Sequence, residues 1–226
     1  MYLRFGRCVI VNALKIDSLA TIAIPSNEDI ASYKEAVGTI YPLLSDVWST
    51  MDGLKLYLQQ SGNTEIQACF YNGWMYGHYV TSVFVFCPDR TISIAFFYVP
   101  RSVHDSQVAH WGRVYDKLGA VYDETGGKCT VDSAFGKGNL PFLIKSSQDY
   151  LILTMPTCQE QRLDLQRKRQ ATSMRQAAEW GICTMQSSFP RLKDMFLYKD
   201  AGEHRILMKR CVSCIIFVRA PLESTR

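Results

Sequence analysis

VWSTMDGLKLYL, residues 47–58, sets an aspartate followed by a glycine into an otherwise apolar, strand-like run. Carboxylates are depleted from strands and are rarely buried unless they are paired or bound to a metal. The run therefore predicts a strand near Val47 to Met51 that delivers Asp52 to a functional position. Three further acids stand at comparable points. Asp132 ends a short strand in KCTVDSAF, Asp105 follows a strand and opens a helix in VPRSVHDSQVAHW, and Glu179 lies inside a long helix in RQAAEWGICTM. Each alone reads as a solvated turn or cap residue. As a set they have the composition of an oxygen-ligand cage for Mg²⁺ or Mn²⁺.

Working outward, the pattern alternates in period. A weak strand is expected near Arg7 to Leu14, and a helix after Ser26-Asn27, where Asn-Glu-Asp suits a helix N-terminus. Polar QQSGNTEIQ (59–67) reads as turn-rich. His78 to Cys87 and Thr91 to Val99 read as paired strands, the first covered on both faces. From Ser106 to Glu124 the apolar residues fall at helical spacing, and Gly126-Gly127 ends the run. Two short strands follow, Cys129 to Val131 and Phe142 to Ile144, and then a helix from about Gln159 to Ser188 that stops before Pro190. Three leading strands, a helix and another strand imply an α/β fold with a mixed sheet flanked by helices, because a helical crossover favours parallel pairing. With the first and fourth strands as neighbours, Asp52 and Asp132 lie side by side and the last helix lowers Glu179 towards them. This is the ribonuclease H-like arrangement. The expected division is a short N-terminal segment (1–45), the α/β domain (46–200) and a C-terminal tail (201–226).

With 47% hydrophobic residues in 226, the chain suffices for one good core. A net charge of +4 permits a polyanionic partner without requiring one. The eight cysteines lack the paired spacings of a disulfide scaffold and read as reduced thiols. Cys211 and Cys214 form one C-x-x-C near His204, which reads as helical packing rather than a zinc site. Asn12, Lys15 and Asp17 break the apolar N-terminal stretch, and Pro88-Asp89 cuts the run from Tyr79 to Val99, so neither a signal peptide nor a membrane span is expected. The expectation is a soluble protein, nuclear or cytoplasmic.

Five short motifs, in order, carry a resemblance. They are Asp52-Gly53; Tyr71-Asn72-Gly73-Trp74 with His78; Pro100-Arg101-Ser102-Val103-His104-Asp105-Ser106; Val131-Asp132-Ser133-Ala134-Phe135 before the apolar Phe142-Leu143-Ile144; and Arg175 with Glu179 on the last helix. Over roughly residues 45 to 200 the chain resembles the DDE superfamily endonucleases of Harbinger-type transposons. It departs from their pattern at Arg101 and Arg90, where the motifs carry glycine, and in CVSCIIFVRAPLESTR, which lacks the expected asparagine-containing helix; the family's N-terminal helix-turn-helix region is expected to be absent or cut down.

The resemblance implies a divalent-metal-dependent DNA endonuclease with Asp52, Asp105, Asp132 and Glu179 as catalytic and metal-binding residues. Topology makes Asp52, Asp132 and Glu179 the triad and Asp105 an auxiliary ligand. Family usage often counts all four, and Asp105 also reads as a plain helix cap. DNA is the implied partner, with a separate DNA-binding accessory protein as a further one. Arg167, Lys168 and Arg169, in the densest basic segment, suit sequence-blind contacts to DNA backbone, or else a solvated helix surface. Arg175 suits a phosphate clamp or an ion pair with Glu179. His104 is a candidate phosphate contact or a structural neighbour of the cap. Trp74, Trp111 and Trp180 are expected in the core. A second function class stays open: a catalytically impaired transposase remnant that binds DNA or protein.

Overall fold

The computed structural model describes residues 22–73, 75–100, 103–136, 140–146, 159–195, 208–209 and 211–213. The expected strand near Arg7 to Leu14, Trp74, Arg101, and Cys214 with His204 all lie outside the described residues. Helix α1 (Asn27–Ile40) starts where expected. Ser26 Oγ accepts from the Asp29 N–H at 3.1 Å, and the Asp29 carboxylate accepts from the Ser26 N–H at 3.3 Å. This reciprocal capping box satisfies donors that the first turn leaves unpaired. A 3₁₀ turn (Pro42–Leu44) then leads into β1 (Val47–Tyr57).

Strand β1 is longer than its apolar start suggested and carries Asp52 in mid-strand. The turn-rich stretch after it holds a short helix, α2 (Thr64–Phe70), whose start is fixed by Asn63 Oδ1 accepting the Glu65 and Ile66 N–H groups. The strands β2 (Tyr71–Asn72), β3 (Gly77–Phe86), β4 (Ile92–Pro100), β5 (Lys128–Val131) and β6 (Leu143–Lys145) complete a six-stranded sheet. Its order is β2-β3-β1-β5-β6, with β4 also on β3. Strand β3 runs antiparallel to β1 and β4, whereas β1, β5 and β6 are parallel. A mixed sheet in this order, flanked by helices, is a ribonuclease H-like fold.

The β3–β4 turn is held by Asp89, whose Oδ1 accepts from the Thr91 N–H and hydroxyl at 2.9 and 2.7 Å. Arg90 occupies the left-handed region at φ 73°, a conformation that favours glycine.

The single helix expected from Ser106 to Glu124 is two, α3 (Asp105–Trp111) and α4 (Val114–Thr125). The break has a packing cause. A Cβ on Gly112 would lie 2.6 Å from Phe96 Cγ, so the backbone presses onto β4 there, and Arg113 then turns through φ 52°. Gly126, at φ 66°, ends α4 with its N–H on the Tyr122 carbonyl, as the Gly-Gly pair predicted.

Helix α5 (Gln159–Ser188) matches its expected bounds. Ala171, Met174, Ala178 and Met185 are buried at helical spacing. Between them Gly181 touches the sheet so closely that a Cβ would lie 2.6 Å from the Phe86 ring. Small residues at 171, 178 and 181 thus bring the helix axis down onto the strands.

The sheet divides two apolar layers. On the α5 side, Leu54, Leu56, Val80, Phe84 and Phe86 pack with Ala178 and Met185. On the other, Met51, Val83, Val85, Cys129 and Val131 pack with Ile30 of α1, Val108 of α3 and Leu118 of α4. The tryptophan expectation needs correction: Trp111 and Trp180 are 53% and 69% exposed, because each sits on the solvent side of its helix. Among the described residues no helix is long and apolar enough to cross a membrane.

Candidate active site

Residues alternate faces along a strand. On β1, Met51 belongs to the core under α1, α3 and α4, so Thr50, Asp52 and Leu54 face α5; Val131, which ends β5, faces the same core as Met51, so Thr130, and Asp132 just beyond the strand, face α5. The two strands pair in parallel with Thr50 opposite Thr130 and Met51 opposite Val131. One residue further along, Asp52 and Asp132 leave the ladder on the same face. Neighbouring strands lie about 4.8 Å apart, so the carboxylates are close by construction.

Glu179 comes to them from α5 through Arg175. The Arg175 guanidinium lies 2.8 Å from Glu179 Oε1 and 3.7 Å from Asp52 Oδ2. These three side chains and Asp132 therefore form one electrostatic group. Asp52 is the most enclosed of the acids described by these contacts, with 18% of its side chain exposed against 47% for Glu179. Burial pushes the Asp52 carboxyl up to about 6, and the charges of Asp132 and Glu179 add to the rise; the Gly53 N–H and Arg175 pull against it. That N–H donates to Asp52 Oδ1 at 2.8 Å. Asp132 Oδ1 accepts from the Ser133 N–H at 2.7 Å and from its hydroxyl at 3.3 Å.

Asp105 approaches from the opposite layer. It is the first residue of α3, and His104 occupies the cap position without a side-chain cap bond. Its carboxylate lies 3.8 Å from the point where a Cβ on Gly53 would stand. Phe135 Cζ lies at the same 3.8 Å, so Asp105 and Phe135 flank Gly53 on the face of β1 opposite Asp52. Tyr115 supports this side: its hydroxyl accepts from the Gly136 N–H at 3.0 Å. Burial, and then the nearby charge of Asp105, raise the phenol's pKa against the pull of that N–H.

Asp52, Asp132 and Glu179 thus share one electrostatic field at the end of the β1–β5 pair, while Asp105 stands beside Gly53 on the other face of β1. Among the described residues, however, no three acid, histidine or cysteine side chains converge tightly enough to enclose one ion. Glu179 is turned to Arg175 instead. The donor chemistry fits a hard divalent cation: one enclosed carboxylate destabilised by its neighbours, two further carboxylates in the same field, and Asp105 across Gly53.

The basic segment divides. Arg167 donates to Asp46 at 2.6 Å, and Lys128 meets the same carboxylate at 2.9 Å. Burial would raise Asp46, but these two cations outweigh it and hold its pKa below the usual value. Lys168 pairs along the helix with Asp164 at 2.6 Å. Arg167 and Lys168 also line a cavity of about 440 Å³ with Lys128 and Lys145, beneath Leu140, Leu143 and Ile144. Lys128 and Lys145 did not stand out in the sequence, since both sit singly on short strands. The pairing of β5 with β1 places Lys128 and that of β6 with β5 places Lys145 on this edge.

Comparison with curated proteins and with solved structures gives no match. The sequence model of one family, the DDE superfamily endonucleases, matches residues 51–219, which is more than half of the chain and includes all four acids. Domains of this family generally use divalent metals. The chain belongs to the DDE superfamily endonucleases.

Proposed function

We propose that the chain is a transposase-derived, divalent-metal-dependent DNA endonuclease of Harbinger type, cutting phosphodiester bonds at the carboxylate group on β1, β5 and α5. The observation that carries this reading is the pairing of β1 with β5, which sets Asp52 beside Asp132 under Arg175 and Glu179. A pair of Mg²⁺ or Mn²⁺ ions, when bound, supplies activation of the attacking water and stabilisation of the leaving oxygen. Asp52, Asp132 and Glu179 would hold it, with Asp105 as the auxiliary ligand. The chain's own contribution is to keep these acids together, so that their mutual repulsion is relieved by binding a cation. Catalytic function is assigned to residues 46–200, and the compartment is nuclear or cytoplasmic.

DNA backbone is the fitting partner for the cations along the α5 edge, including Lys168 and Arg169, with Arg175 and His104 nearer the acids. Phosphate contacts of this kind position a duplex without reading its sequence. A separate accessory protein would then supply target choice.

A second reading is favoured by Arg90. At φ 73° it holds a left-handed conformation that suits glycine, so this copy tolerates a substitution that strains a turn. That is the expected condition of an impaired remnant that keeps the fold and binds DNA or protein. Plasmid nicking separates the two. The parent should relax supercoiled plasmid only with Mg²⁺ or Mn²⁺, and Asp132→Asn should lower the rate by at least about a hundredfold, the order of a lost metal ligand. Salt-dependent DNA binding without nicking would instead establish the remnant.

A further inference from the structure

Arg175 sits where a cation is most needed. Its guanidinium spans the two elements that bear the acids, touching Glu179 on its own helix at 2.8 Å and Asp52 on β1 at 3.7 Å. The two contacts are unequal. The first is a close, charge-assisted hydrogen bond, and the second is an ion pair beyond hydrogen-bond length. The Nε atom is buried and has no hydrogen-bond partner among the described residues. The distinction from the Arg167–Asp46 tie lies in the sharing: Arg175 divides its guanidinium between two carboxylates on different elements and holds only one of them closely.

The geometry points to Arg175 as an internal counter-ion that competes with the divalent metal for Asp52 and Glu179. This rests on the metal-site reading given above. In the metal-free protein Arg175 offsets the repulsion among Asp52, Asp132 and Glu179, and it turns Glu179 away from a converging geometry. Metal binding frees Glu179 only by displacing the guanidinium. The displaced Arg175 then stands beside the acids with its donors unspent, where a phosphate oxygen is the anion within its reach. Arg175 is in this sense a positioning residue, acting on the site through the two acids it holds.

Competition between two cations is a coupling, and such couplings run from about fivefold to about a hundredfold. Mn²⁺ affinity is read by titration calorimetry without DNA for the parent, Arg175→Met, Arg175→Lys and Asp52→Asn. Arg175→Met keeps the stem and removes the charge, and it should tighten Mn²⁺ by about tenfold. Its melting temperature should fall without metal and recover towards the parent's at saturating Mn²⁺. Arg175→Lys, whose point charge cannot span both acids, should tighten Mn²⁺ by a smaller factor and serves if the methionine variant does not fold. A folded variant with unchanged or weaker Mn²⁺ binding overturns the inference and makes Arg175 a strut for Glu179. In that case loss of binding in Asp52→Asn still upholds the metal site. Equal binding by the parent and Asp52→Asn overturns the metal site and this inference with it.

Discussion

Asp52 carries more of the account than any other residue. Its carboxyl is pushed up to about 6, first by burial and then by the neighbouring Asp132 and Glu179. An acid whose folded pKa exceeds its unfolded value binds more protons when folded. The stability this contributes is fully present below about pH 4 and is lost as pH rises through about 6. The metal-free protein should therefore lose on the order of 1–3 kcal/mol from this residue between those values. Urea unfolding at a series of pH values, compared with Asp52→Asn, measures it: the variant should show a flatter profile in that window. Most of this was legible in the sequence, because an aspartate inside VWSTMDGLKLYL has no ordinary reason to be there. Asp105 was legible as a helix start, but not its place beside Gly53. Trp111 and Trp180 misled, since an apolar residue at helical spacing does not reveal which side of the helix meets water.

At the scale of elements, α5 does two jobs at its two ends. Near Gly181 it presses onto Phe86 and presents Glu179, while near Arg167 it is tied to the start of β1 through Asp46. The basic run that reads as one segment therefore has unequal members. Arg167→Ala leaves Asp46 with Lys128 alone and should destabilise the fold by about 1 kcal/mol, with little effect on DNA. Replacing Lys168 and Arg169 with alanine should leave stability within about 0.5 kcal/mol and lower the slope of log affinity against log salt by about 1 to 2. Denaturant midpoints and fluorescence anisotropy on a labelled duplex at several salt concentrations check both. Element bounds were legible where chemistry punctuates the chain: Ser26 and Asp29 at α1, Gly126 at α4, and Pro190 after α5. The break at Gly112–Arg113 was not, because its cause is the distant Phe96. The helix α2 was hidden in polar residues whose one useful signal was the capping Asn63.

For the whole molecule, the decisive fact is topological. A parallel pairing of strands some eighty residues apart in sequence sets Asp52 beside Asp132, and a helix that begins at Gln159 closes over them. The order of strands and helices was readable because period-2 and period-3.6 stretches alternate cleanly. Which acids face the same side was not readable until register was known, since a shift of one residue moves every side chain to the other face. The central claim is that these carboxylates form one site for a divalent cation. A ligand that binds the folded state alone raises its melting temperature by mass action. Thermal unfolding across a Mn²⁺ titration near pH 7.5, for the parent, Asp52→Asn and Asp132→Asn, is the most direct measurement. The account predicts a melting temperature that rises with Mn²⁺ in the parent and a flat response in both variants. An equal rise in all three proteins, or none in the parent, would contradict it.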